Sequence, residues 1–230
     1  MSEGFSEIAF DVEPSPETND HRVLIFIDGR DLIKEYCPDM MGMDPDDILH
    51  HRFLAPQELP FEATVARCGC GVVGCGSATV EISTEAETVV WNSWNGGLAH
   101  NNPGKLVFQR THYLDALAKA VDDHSWETPE RTAARLLSGK VDIEVLAGHQ
   151  LKYQWASGRV RDGLFTVSMI GPEGYHQILL HVEWADESPE EIADMAAALL
   201  RTDPRGWANV TWYGQATEPP FRGRAWIPDT

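Results

Sequence analysis

Between His176 and Arg201 the hydrophobic period of the chain changes from two to 3.6 within a few residues. In "QILLHVEW" Ile178, Leu180, Val182 and Trp184 fall at every second position. That spacing puts them on one face of a strand and His181 and Glu183 on the other. In "SPEEIADMAAALLR" Ile192, Met195, Ala196, Leu199 and Leu200 recur at helical spacing. Ser188 and Glu191 form a capping box, and Pro189 occupies the first helical position. A strand that leads so directly into an amphipathic helix needs a fold in which helices cover one face of a sheet. Strand patterns also occur at Val141–Leu146, Leu151–Trp155, Leu164–Ile170 and Ala208–Tyr213, and "IGPEGY" supplies a hairpin turn. The predicted order over residues 140–230 is therefore four strands, one helix and a strand, an antiparallel sheet with a single helix.

Residues 21–139 read as a second α+β half. "RVLIFIDGR" is a buried strand, Val23 to Ile27, leaving through a tight turn at Asp28-Gly29. Asp44 and Pro45 open a short helix. Ala63–Arg67, Ala78–Ser83 and Thr88–Trp91 form an antiparallel meander, and "SWNGGLAHNNPGK" has loop composition. A helix from about Thr111 to Asp123 is expected to bury Leu114, Leu117 and Val121. Thr128 and Pro129 start another helix, and Gly139 ends it. The fold class is α+β, with antiparallel sheets, helices on one face, and two halves meeting near Gly139. Residues 1–20, with six acids, no base and the polar run "DVEPSPETND", read as a flexible acidic lead-in.

Charge narrows the function classes. The net charge of −18 repels phosphates and anionic headgroups, and no basic stripe offsets it, which excludes nucleic acid as an expected partner. The same field attracts basic protein surfaces. No window is apolar enough to span a bilayer, and the start lacks a secretory signal, so no membrane partner is expected and the expected compartment is the cytoplasm.

Chemistry concentrates in "ARCGCGVVGCGSATV". On an extended strand Cys68 and Cys70 project to the same side. Glycines at 69, 71, 74 and 76 allow the chain to bring Cys75 back towards them. Three thiolates converging on one point suit a structural Zn²⁺ site, with His100, His112, His124 or Cys37 as the candidate fourth ligand. Unligated thiols and a Cys70–Cys75 disulfide are alternative states of the same stretch. No phosphate loop, dinucleotide fingerprint, nucleophile elbow or H-E-x-x-H pattern is present, so no catalytic residue is assigned. The aromatic and arginine-rich C-terminal stretch, with Trp212, Tyr213, Phe221, Arg222, Arg224 and Trp226, is either a partner-binding segment or a cover for its own domain.

The run "CGCGVVGC" followed by "TVVWNSW", then "LVFQRTHYLDAL" and "SWETPERTAARL", resembles a group of uncharacterised actinobacterial proteins. These share a C-x-C-G-x-x-G-C element ahead of a Val-x-Trp strand. The resemblance spans about residues 21–139 and implies no catalytic residues; Gly76-Ser77 follow Cys75 where the group carries a bulky residue. The leading expectation is a non-enzymatic acidic binding protein, an immunity, inhibitor or adaptor protein acting on a basic protein partner. The alternative is a metal- or thiol-dependent enzyme, or a zinc- or redox-sensing regulator, centred on Cys68, Cys70 and Cys75.

Overall fold

The computed structural model describes residues 4–13, 21–50, 53–70, 75–171, 174–214, 219 and 222–228. It is an α+β protein whose chain forms two compact units, Met1–Trp126 and Glu127–Thr230. The division falls ahead of the expected boundary near Gly139. Helix Pro129–Ser138 sends Ala133 and Leu137 into the second core, so it belongs to the unit that follows it.

In the first unit β1 (Ile8–Glu13), β2 (Arg22–Ile27) and β3 (Arg30–Asp31) form one antiparallel sheet. Val23, Ile25 and Ile27 of β2 are buried at alternate positions. Asp28 (φ 51°) and Gly29 (φ 78°) turn the chain into β3 with both central residues left-handed, the geometry that matches strand twist in a two-residue hairpin. β1 corrects the reading of residues 1–20 as a flexible segment over Ile8–Glu13, while residues 14–20 lie outside the described residues. Ile8, Phe10 and Val12 pack on the core, while acidic and small residues on the other face disguise the alternation. Helix α1 (Leu32–Tyr36) follows, with Asp31 accepting from Ile33 N and Lys34 N.

The second sheet of this unit has the order β4 (Met40–Gly42), β5 (Phe61–Cys68), β6 (Ser77–Glu85), β7 (Thr88–Gly96) and β8 (Leu106–Gln109). Asp44 caps a π-helical turn at Asp46–His50 by accepting from Asp46 N at 3.0 Å. β7 runs five residues beyond the expected Trp91, because Trp94 is buried and its indole donates to Gly104 O at 2.7 Å. Helix α2 (Arg110–Asp122) buries Tyr113, Leu117 and Ala120. Leu114, placed in the stripe by its spacing, is 39% exposed; the large Tyr113 ring turns the helix towards itself. That ring meets Trp91 and Phe108 at centroid distances of 6.1 and 5.6 Å, and its hydroxyl donates to Leu54 O at 2.7 Å.

The second unit contains α3 (Pro129–Ser138), α4 (Ile143–Gly148), α5 (Pro189–Leu200) and a sheet of order β13-β12-β11-β10-β9. Its strands are β9 (Lys152–Arg161), β10 (Leu164–Ile170), β11 (His176–Glu183), β12 (Val210–Gly214) and β13 (Ile227–Pro228). All pair antiparallel except β12 with β13, which is parallel. Among the described residues, 140–230 thus hold two α-helices rather than the one expected. Val141–Leu146 alternates like a strand, but the Asp142 carboxylate accepts from Val145 N at 3.1 Å and starts α4 there. The expected capping box on α5 is present: Glu191 N donates to Ser188 Oγ at 3.2 Å and Ser188 N to Glu191 Oε2 at 2.8 Å. The buried face of α5 is Ile192, Ala193, Ala196, Ala197 and Leu200, and the alanines displace Met195 and Leu199 outward. No helix among the described residues is long and apolar enough to cross a membrane.

Candidate metal centre

β5 would alternate cleanly were it not for an irregularity in its pairing with β6 between Thr64 and Ala66. Ala63 and Val65 are buried as period two requires, and then Ala66 is buried as well. Such a bulge re-aims every residue beyond it. Cys68 therefore follows Ala66 onto the core-facing side and is half-buried, while Arg67 takes the other face. The strand ends at Cys68, so Cys70 lies in the turn rather than on an extended strand. The convergence of the thiols is a property of the turn, not of strand alternation. Cys68 N donates to Gly76 O at 2.9 Å, and Arg67 pairs with Ser77, so the two arms carrying Cys68 and Cys75 are joined by backbone bonds.

The Sγ atoms of Cys68, Cys70 and Cys75 all lie within 4.8 Å of one another. An ion with metal–sulfur bonds of about 2.3 Å needs tetrahedrally placed sulfurs about 3.8 Å apart, so a small contraction suffices. The donors are thus close enough, and soft enough, to hold a metal ion. All four cysteines are thiols, and Cys70 and Cys75 are exposed. Cys75 is the hub. Its thiol is pushed up to about 11 by hydrogen bonding to Cys70 and then to Cys68, with repulsion from both neighbours' thiolate forms adding to the shift. The folded chain therefore favours protonated Cys75 at neutral pH, and loses that preference as pH climbs towards this value. A bound ion reverses the preference by taking the place of the protons.

Among the described residues the group closes at three, and none of the four candidate fourth ligands joins it. Cys37 is sequestered in the first core at 6% exposure, where burial pushes its thiol up. His100 is exposed in the loop after β7, His112 is exposed on the first turn of α2, and His124 lies beyond that helix. The sequence also gave no sign of Met40 and Met41. β4 brings Met40 opposite Cys68 and Met41 opposite Arg67, and Met41 Sδ lies 3.9 Å from where a Cβ on Gly69 would stand.

The proposed C-terminal interface is only partly at the surface. Trp226 is 1% exposed and stacks on Trp207 with ring centroids 6.1 Å apart and planes inclined by 16°. It is a core residue, so at this position the stretch covers its own domain rather than facing a partner. Arg222 donates to Trp226 O at 3.2 Å, and Trp212 is half-buried with its ring edge-on to His176. Tyr213 and Arg224 remain exposed, and Phe221 lies outside the described residues.

His181, expected on a polar strand face with Glu183, is buried between two threonines. Its Nδ1 lies 3.0 Å from Thr166 Oγ1 and its Nε2 lies 2.9 Å from Thr211 Oγ1. Glu183 is exposed. No protein-family model, no curated protein and no solved structure matches this chain.

Proposed function

We propose that this chain is a non-catalytic binding protein that holds a zinc ion on the Cys68, Cys70 and Cys75 knuckle. The observation that carries the reading is the approach of three sulfur donors within 4.8 Å at one hairpin tip. Thiolates bind Zn²⁺ well, and three of them converging on one point suit metal retention. A reducing compartment such as the cytoplasm keeps these thiols available as ligands. Elemental analysis of the purified chain tests the idea. One zinc per chain is expected, and none in Cys75→Ser; wild-type protein that takes up no zinc under reducing conditions would sink the proposal.

A second reading is favoured by the net charge of −18. It takes the chain as an acidic inhibitor or adaptor that docks on a basic protein, with Tyr213 and Arg224 at the contact. Complementary charge raises the encounter rate and makes the affinity strongly salt-dependent. Capture experiments at low and high salt address this directly: a basic partner should be retained at low salt and released at high salt. Recovery of partners with no excess of basic charge speaks against it.

A further inference from the structure

We infer that the knuckle is an exchangeable site for monovalent copper, Cu(I), in which three sulfurs complete the coordination. The inference rests on the reading that Cys68, Cys70 and Cys75 bind a metal ion, and it changes which ion and in what manner.

Donor count is the first ground. Structural zinc is almost always four-coordinate, and among the described residues this group offers three ligands. Cu(I) is singly charged with a filled d shell, and two or three soft donors satisfy it. Donor softness is the second. The group contains no imidazole or carboxylate, and the side-chain atom nearest a Cβ position on Gly69 is the thioether Met41 Sδ, at 3.9 Å. Met40 stands opposite Cys68 on the neighbouring strand, with its Sδ turned against Gly97. An all-thiolate donor set is soft enough for Cu(I), which shares that preference with Zn²⁺.

Placement is the third ground. An ion that staples a fold is enclosed by what it holds together, whereas Cys70 and Cys75 are exposed at the tip. The strands beneath are already paired to Arg67 and Ser77, and the Cys68 N to Gly76 O bond closes the ladder without a metal. An incoming thiolate can therefore reach the ion and replace one protein sulfur at a time, leaving the sheet undisturbed. No electron is transferred. The copper stays Cu(I) throughout, and each protein thiolate released takes up a proton from solvent.

The test uses the full chain, zinc-loaded and handled without oxygen. One equivalent of Cu(I) is added, followed by a chromophoric Cu(I) chelator. The expected result is release of one zinc, and a copper X-ray absorption spectrum with three sulfur neighbours and no nitrogen or oxygen. Cys68→Ser, Cys70→Ser and Cys75→Ser should each weaken Cu(I) retention at least tenfold, and Cys37→Ser should not change it. The rate of copper transfer to a small thiol should rise in proportion to the thiol concentration. Zinc retained against Cu(I), a nitrogen or oxygen neighbour on copper, or a transfer rate independent of competitor overturns this inference and leaves the zinc reading standing. Copper bound by a chain that takes no zinc sinks the zinc reading alone. Failure to bind either ion removes both.

Discussion

Each unit of this protein contains a five-stranded sheet built largely from antiparallel pairs, yet the two sheets handle polar chemistry in opposite ways. In the first, β4 to β8 enclose an apolar interior led by Trp91, Phe108 and Tyr113, and the reactive groups are carried out to a hairpin tip. In the second, polar side chains are folded into the sheet. Thr166, Ser168, His181 and Thr211 are all buried, and each has a partner: His181 bridges the two threonines, and Ser168 joins Gln154 and Gln177 at 3.1 and 3.0 Å. Buried polar groups stabilise only when every member is satisfied, so the second arrangement fixes strand register while the first leaves its thiols available to solvent. One strategy favours a unique fold, and the other an accessible site.

Four substitutions separate the two strategies. The largest effect is expected for Trp91→Ala, which empties the centre of the aromatic cluster; chemical denaturation should show a loss of about 3–5 kcal/mol. His181→Ala strands two buried threonine hydroxyls and should cost about 2–4 kcal/mol, at about 1–2 per group, the lower part of the range for an unpaired buried hydroxyl. Replacing Thr166 and Thr211 by valine in the same chain should recover part of that loss. A His181→Ala variant as stable as the wild type would show that the buried polar ladder contributes nothing, and the contrast between the sheets would fail.

Gly96→Ala acts on the first sheet through the backbone. Gly96 has φ +61°, and a Cβ there would run into the Ser77 carbonyl oxygen at the base of the knuckle arm. A loss of about 1–3 kcal/mol is expected from the strained conformation, read from the denaturation midpoint. The smallest effect belongs to Cys70→Ser. Its side chain is exposed, so stability in metal-free buffer should change by less than about 0.5 kcal/mol, even though metal uptake is lost. A large loss of stability there would move the thiols from the accessible class to the structural one.

Which parts of this architecture the sequence disclosed follows from how local their causes are. β2 announces itself through a continuous apolar run, β10 and β11 through apolar residues at alternate positions, and the α5 capping box through four consecutive residues. α4 was missed because a six-residue stretch alternates and coils equally well until the Asp142 cap decides. β1 was missed because its solvent face is acidic. The three thiols were legible as a group, but their neighbours were not. Placing Met40 opposite Cys68 depends on β4 pairing with a strand more than twenty positions away, and nothing near Met40 records that distance. The thiol geometry also depends on the bulge at Val65, which period-two counting cannot anticipate.

The stack of Trp207 on Trp226 has an optical consequence. Two near-parallel indoles with centroids 6.1 Å apart couple their excited states, and such coupling gives a paired-sign band in the circular dichroism spectrum. Trp207 is fixed by donating to Leu199 O and Thr202 Oγ1, both at 3.0 Å, and Trp226 directly precedes β13, so an excursion of that strand carries Trp226 with it. The intensity of that band therefore reports, without any label, whether β13 is seated beside β12.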